Sequence, residues 1–156
     1  MQIVVKRKSG GVFITTLLAE VLQAFEYDPE TVVRAEIAAW PQDMRDDVGS
    51  WRAMSDDAIP TDRTFRNAWA DTTPEAVIDH DMPKAREIWR NKMRAARAPK
   101  LAALDVDFMV ALEGKKSTAA IASKKQALRD VTKDQAIEAA QSPDELKAVW
   151  PDALKV

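Results

Sequence analysis

The sequence predicts an α+β fold, in which a small N-terminal unit containing a β-hairpin precedes an antiparallel helical hairpin and short trailing helices. Three observations predict it. Short β-branched segments flank a Ser-Gly-Gly turn at residues 9–11, which is typical of a β-hairpin. From residue 81 onward, apolar residues recur at the period of an α-helix. A turn at residues 114–116 separates two such stretches, so we expect them to pack antiparallel.

Length and composition restrict the class of protein. The 156 residues suit one domain or a small domain with an appendage, and we expect a small α/β unit at 1–80 and the helical hairpin with short C-terminal helices at 81–156. The apolar fraction of 46% excludes wholesale disorder. Because the chain has no cysteine, disulfides and thiolate metal sites are absent. It also lacks an apolar run of the roughly 18 residues that span a bilayer and a signal-peptide core, so we expect synthesis in the cytoplasm and no membrane partner.

The first unit should begin with strands at residues 2–6 and 12–16, which form the hairpin. The apolar spacing of Leu18, Val21, Leu22 and Phe25 favours a helix over residues 17–25, or a continuation of the second strand.

A better-defined helix should follow. Asp28 is a typical N-cap and Pro29 suits the first helical position. Pro41 should end the helix, whose apolar side comprises Val32, Val33, Ile37 and Trp40.

The middle of the chain, residues 43–64, is predicted to be irregular, with a short strand at 51–54. Phe65 and Trp69 are four residues apart and should either share a helical face or anchor a loop. A break at 72–74 precedes a candidate strand at 76–78.

The long helical stretch should begin with Asp81 as N-cap. Pro99 should kink or restart the helix, because it lacks a backbone donor and clashes with the preceding turn. Gly114 is the expected C-cap. Helical spacing continues between the two at Leu101, Leu104, Phe108 and Leu112.

The second arm should span residues 117–131, with Ile121, Leu128 and Val131 packing on the apolar face of residues 88–112. Capping-box patterns at 132–135 and 142–145 predict two further short helices.

The strongest candidate site is a row of arginines on the first long helix. Between residues 83 and 100 there are seven basic residues and only one acid, Glu87, although the net charge of the chain is −2. A row of this kind suits an acidic neighbouring subunit or phosphates, and the alternative is a solvated helix face. We expect partner contacts there at Arg86, Arg90, Arg94 and Arg97, together with Trp89, because Trp and Arg are enriched at interface hot spots. A protein partner is favoured over nucleic acid, because the net charge is negative and stacking aromatics are not interleaved.

Catalysis, cofactors and metals are not predicted. His80 is the only histidine and lies between two aspartates, where a strand-to-helix loop capped by Asp81 is favoured over a metal site. Nucleophile-elbow, phosphate-loop and dinucleotide motifs are missing, and the paired aspartates at 46–47 and 56–57 have the sequence context of solvated turns. We therefore expect a non-enzymatic protein.

Several segments resemble proteins of bacteriophages. The segment IPTDRTFRNAW at residues 59–69 resembles small phage and prophage proteins that are typically encoded in virion-structure regions, and the segments DMPKAREI at 81–88 and RAARAPKLAALD at 94–105 are similar to the same proteins. The segment QALRDVT at 126–132, followed by Trp-Pro at 150–151, is similar to the C-terminal segment of phage tail-fibre-assembly proteins.

The resemblance implies structure rather than chemistry. It favours a non-enzymatic virion protein of the tail, fibre or head–tail region, made in the host cytoplasm and present in the virion in several symmetric copies, with other virion subunits as partners. One alternative is a tail-fibre-assembly chaperone that is absent from the mature particle. Another is a nucleic-acid-binding protein that uses the basic helix.

Overall fold

The computed structural model describes residues 1–24, 28–72 and 77–155. Its fold is α+β, as the sequence predicts, with a small antiparallel sheet followed by a long helix and shorter helices. Contacts divide the chain into two compact units, Met1–Asp81 and Met82–Val156.

The predicted β-hairpin is confirmed. Strand β1 (Gln2–Arg7) pairs antiparallel with β2 (Val12–Thr16), from Gln2 opposite Thr16 to Lys6 opposite Val12. In the connecting turn, the Gly10 N–H donates to the Arg7 carbonyl at 3.1 Å. Gly10 and Gly11 have φ values of 92° and 80°, in the region that favours glycine.

A third strand is longer than the sequence predicts. Strand β3 (Val48–Met54) pairs with the other edge of β1, giving the order β2-β1-β3. The segment 43–64 is therefore not irregular throughout, and it also contains the end of helix α3 (Gln42–Asp46) and a 3₁₀ turn at Asp56–Ala58. The strand lacks apolar alternation, so that its conformation depends on pairing with β1 rather than on local sequence.

Two helices lie between β2 and α3. Helix α1 (Ala19–Ala24) occupies part of the predicted 17–25 segment, of which residue 25 lies outside the described residues. Helix α2 (Pro29–Ala39) begins and ends as predicted, because the Asp28 side chain accepts hydrogen bonds from the backbone N–H groups of Glu30 and Thr31 and Trp40 is the C-cap.

The core of the first unit covers both faces of the sheet. Ile3 and Val5 pack with Leu17 and with Val32 and Val33 of α2. The other face contains a second cluster, made of Val4, Met54, Trp69 and Ile78. Strand β1 is consequently buried on both sides, which accounts for its continuous apolar run.

A short second sheet joins β4 (Trp69–Ala70) to β5 (Asp79–His80). The strand predicted at 76–78 is wrong at residues 77–78, because the paired residues begin at Asp79; Ile78 is buried, and residue 76 lies outside the described range. Phe65 and Trp69, which are 2% and 4% exposed, flank a 3₁₀ turn at Arg66–Ala68 and anchor the loop.

The second unit is built on helix α4 (Met82–Glu113), which packs against α5 (Ala119–Asp130) as the predicted hairpin. A 3₁₀ turn at Val131–Lys133, helices α6 (Gln135–Ala139) and α7 (Pro143–Ala148), and a 3₁₀ turn at Asp152–Leu154 follow. No helix in the described ranges is both long and apolar enough to cross a membrane.

Of the two outcomes expected at Pro99, a kink or a restart, the restart does not occur, since helix α4 is continuous through the proline. A helix can absorb the loss of one hydrogen bond when it is packed on both sides of the proline. Here Met93 and Ala111 are buried before and after Pro99. The apolar face ends sooner than predicted, because Leu112 is 55% exposed.

The helix ends of this unit follow the sequence only in part. After α4, the Lys116 N–H donates to the Ala111 carbonyl and the Lys115 N–H to the Leu112 carbonyl, a Schellman pattern in which Lys115, not Gly114, has the left-handed φ of 54°. The box predicted at 132–135 is wrong, because Asp134 is the N-cap of α6. The box at 142–145 is confirmed at its N-cap: the Ser142 hydroxyl accepts from the Glu145 N–H.

Candidate functional site

The arginine row of α4, defined by Arg86, Arg90, Arg94 and Arg97, contacts the later helices of its own unit. Arg86 lies deepest, with 15% of its side chain exposed. Its guanidinium donates to the Ile137 carbonyl at 3.1 Å and to the Ala140 carbonyl at 2.9 Å, at the end of α6. The last carbonyls of a helix have no partner within the helix and bear partial negative charge, so a guanidinium satisfies and stabilises them.

The same arrangement recurs along α4. Arg97 donates to the Arg129 carbonyl at 2.8 Å and to the Leu128 carbonyl at 3.4 Å, near the end of α5. The Trp89 indole N–H donates at 2.8 Å to the carbonyl of Val149, the C-cap of α7. Side chains of α4 therefore cap three successive helices that fold back onto it.

The remaining two arginines are paired with acids. Arg90, whose side chain is 20% exposed, forms ion pairs with Glu138 and Glu87. Arg94 is 43% exposed and pairs with Glu87 at 2.5 Å. Hydrogen bonding from Arg94 lowers the pKa of the Glu87 carboxyl.

The structure thus places the five predicted site residues together on α4, but it does not leave them all on the surface. Trp89 is 4% exposed and its ring meets the Trp150 ring edge-on at 5.3 Å, so it belongs to the interior of the unit. Within its own unit the row meets helix-terminal carbonyls and the carboxylates of Glu87 and Glu138. Partner contact by these residues stays a prediction, and Arg94 is its most exposed member.

A second surface on α4 is apolar and exposed. Val106, Met109 and Val110 are 63%, 52% and 62% exposed and share one helical face, because they are spaced i, i+3, i+4. Residues 99, 102 and 103 on the same face are a proline and two exposed alanines. We call this set the apolar row. The sequence contains the pattern that predicts this row, because apolar residues recur at helical spacing on this face as well as on the face of α4 that packs against α5.

The first unit contains a cleft of about 830 Å³. Strand β2 and the hairpin turn line one side, through Gly11 and Ile14 among others, and the loop before β4 lines the other, through Arg63, Arg66 and Trp69. In the sequence this loop is marked by the phage resemblance and by the apolar anchors Phe65 and Trp69, whereas the signal for a site is the basic pair Arg63 and Arg66 on either side of Phe65.

The hairpin turn beside the cleft is fixed by Asp47. Its carboxylate accepts hydrogen bonds from the Ser9 hydroxyl and the Ser9 N–H at 2.7 Å, and Arg7 pairs with it at 2.7 Å. These contacts, the Ser9 hydroxyl bond first, lower the pKa of Asp47 to about 2. The turn is consequently tied to the junction between α3 and β3.

A metal centre has no support in the described part of the chain, where no cluster of three or more His, Cys, Asp or Glu side chains could hold an ion. His80 lies in β5, and its ring meets the Phe65 ring edge-on at 6.4 Å. His80 is therefore a paired strand residue rather than part of the predicted strand-to-helix loop.

Comparisons with protein families, with curated proteins and with solved structures find no match to this chain.

Proposed function

We propose that this chain is a non-enzymatic structural subunit of a bacteriophage virion, in the tail, fibre or head–tail region, where several copies act through protein–protein contacts. The observation that most supports the proposal is the apolar row of α4. Contiguous exposed apolar surface is uncommon on monomeric proteins and typically marks an interface.

The resemblance of residues 59–151 to phage virion-region proteins supplies the assembly in which such an interface would act. Covering a side chain such as Val106 or Met109 contributes about 1.5–3 kcal/mol when burial is complete. Several such side chains on one helical face would therefore hold a neighbouring subunit.

The nucleic-acid alternative receives less support from the arginine row. Arg86 and Arg97 donate to carbonyl groups of their own unit, and Arg90 pairs with two glutamates. A phosphate backbone would have to displace these contacts, and Arg94 is the one exposed member of the row.

Mass spectrometry of purified particles tests the proposal directly. We expect the chain in mature virions of the phage that encodes it. Its presence only in assembly intermediates would replace the proposal with the chaperone alternative.

A paired substitution tests the surface. Val106→Glu with Val110→Glu should leave the monomer folded, because both side chains are exposed, yet should prevent incorporation, because buried unpaired carboxylates are costly. Ala127→Glu, on the exposed side of α5, is the matched control and should assemble normally. Normal incorporation of the double variant would contradict the role of the apolar row.

A further inference from the structure

We propose that the cleft of the first unit binds a small molecule that bears an oxyanion, either a carboxylate or a phosphate group. The cleft belongs to the first unit and the apolar row to the second, and the proposal does not depend on a role in the virion.

The charge of the cleft is the first argument. Its lining contains Arg7, Arg63 and Arg66 against one acid, Asp56. Arg7 is already paired with Asp47. Within residues 1–24, 28–72 and 77–155, by contrast, the exposed side chains of Arg63 and Arg66 form no ion pair or hydrogen bond. Two guanidinium groups without an anion are thus available at one wall of the cleft.

The wall that bears these arginines is held in place. The Arg66 N–H donates to the Arg63 carbonyl at 3.1 Å, and the Ala68 N–H donates to the Phe65 carbonyl at 2.8 Å. Phe65, between the two arginines, is buried and meets the His80 ring edge-on. A fixed backbone lowers the cost of ordering the two side chains around a ligand.

Trp69 supplies an independent argument. This residue lines the cleft and is 4% exposed, and its buried indole N–H has no acceptor among the residues that the structure describes. A buried donor without a partner costs about 1–3 kcal/mol. Because this N–H is buried, an oxyanion in the cleft would reach it after a local shift of the Trp69 side chain, and would then offer the acceptor that the protein does not.

The size and the donors together define the ligand class. The volume of about 830 Å³ falls within the range of small-molecule sites. Guanidinium groups bind carboxylate and phosphate oxygens through paired, charge-assisted hydrogen bonds. Val12 and Ile14 of β2, which share one face of the strand, provide apolar contact for the rest of the molecule, and Asp56 in the lining opposes excess negative charge.

The indole N–H resonances of the five tryptophans give a direct readout. Trp69→Phe assigns its own peak by loss. The ¹⁵N-labelled full chain is titrated with inorganic phosphate and, separately, with succinate, at constant ionic strength maintained with chloride. We expect a saturable shift of the Trp69 peak and of the Gly11 amide in at least one titration, and the effective probe identifies the group that the site prefers.

Variants locate the binding. Arg63→Gln with Arg66→Gln should weaken binding by about tenfold or more, since both charged donors are lost, whereas Asp56→Asn should tighten it by removing a like charge. Arg34→Gln, an exposed arginine of α2 outside the cleft, should bind as the unaltered protein does. Shifts that remain linear and equal those in chloride would overturn the proposal, as would saturable binding that survives the double substitution.

Discussion

Arg86 and Arg94 belong to one row on one helix, yet the structure gives them different roles. Arg86 bridges two carbonyl groups and is mostly covered, whereas Arg94 pairs with an exposed glutamate in water. Arg86→Ala should therefore lower the free energy of unfolding by about 2 kcal/mol, because two carbonyls lose a charged donor. Arg94→Ala should change it by about 0.5 kcal/mol or less.

Urea denaturation of the two variants measures the difference. Arg86→Lys keeps the charge without the planar guanidinium, so it should recover only part of the loss. Equal effects of the Arg86 and Arg94 substitutions would show that the carbonyl contacts do not contribute.

The sequence predicted the arginine row, but not that helix-terminal carbonyls of its own unit would meet it. Helix-terminal carbonyls have no residue type of their own, and their position depends on where α5 and α6 fold back. Arg90 illustrates the consequence. Replacing it with Glu would place a third carboxylate beside Glu87 and Glu138, so that exchange tests stability as well as assembly.

At the scale of elements, the end of α4 offers a clear test. Lys115 occupies a left-handed position, which costs an L-residue with a side chain about 1–2 kcal/mol. Glycine avoids this cost. It also has more conformational freedom in the unfolded chain, and this entropy cancels about 0.5–1 kcal/mol of the gain in stability. Lys115→Gly should consequently raise the free energy of unfolding by about 0.5–1 kcal/mol.

Thermal and urea unfolding measure this change. Lys116 is the matched control, because its φ is not positive; Lys116→Gly should lower stability through the same entropic term. A loss of stability in both variants would show that the left-handed strain at Lys115 is negligible.

The sequence correctly predicted those elements whose structure depends on neighbouring residues in the chain. The hairpin turn, the Asp28 N-cap and the Ser142 N-cap depend on contacts within a few residues. Strand β3 depends on β1, which is more than forty positions away along the chain, and helix α4 continues through the exposed Pro99. These two outcomes could not be read from local patterns.

At the scale of the whole molecule, the division into two compact units predicts that the second unit can fold without the first. The second unit joins its own segments through Arg86 with Ile137, Trp89 with Val149, and Arg97 with Arg129. A fragment of residues 82–156 should therefore fold alone, although its size makes it only moderately stable.

Circular dichroism and a cooperative thermal transition of the fragment provide the measurement. Ile137 is fully buried, so the fragment with Ile137→Asp should remain unfolded and serves as the control. A fragment that melts without cooperativity would show that the second unit needs the first.

The edge-on pair of Trp89 and Trp150 has an optical consequence. Two indoles 5.3 Å apart and inclined by 64° couple their electronic transitions, so the pair absorbs left- and right-handed circularly polarised light unequally. The signal requires Trp150 to rest on α4, where the Trp89 bond to Val149 holds the neighbouring backbone. The chain thus contains an intrinsic spectroscopic reporter of whether its C-terminal segment is docked.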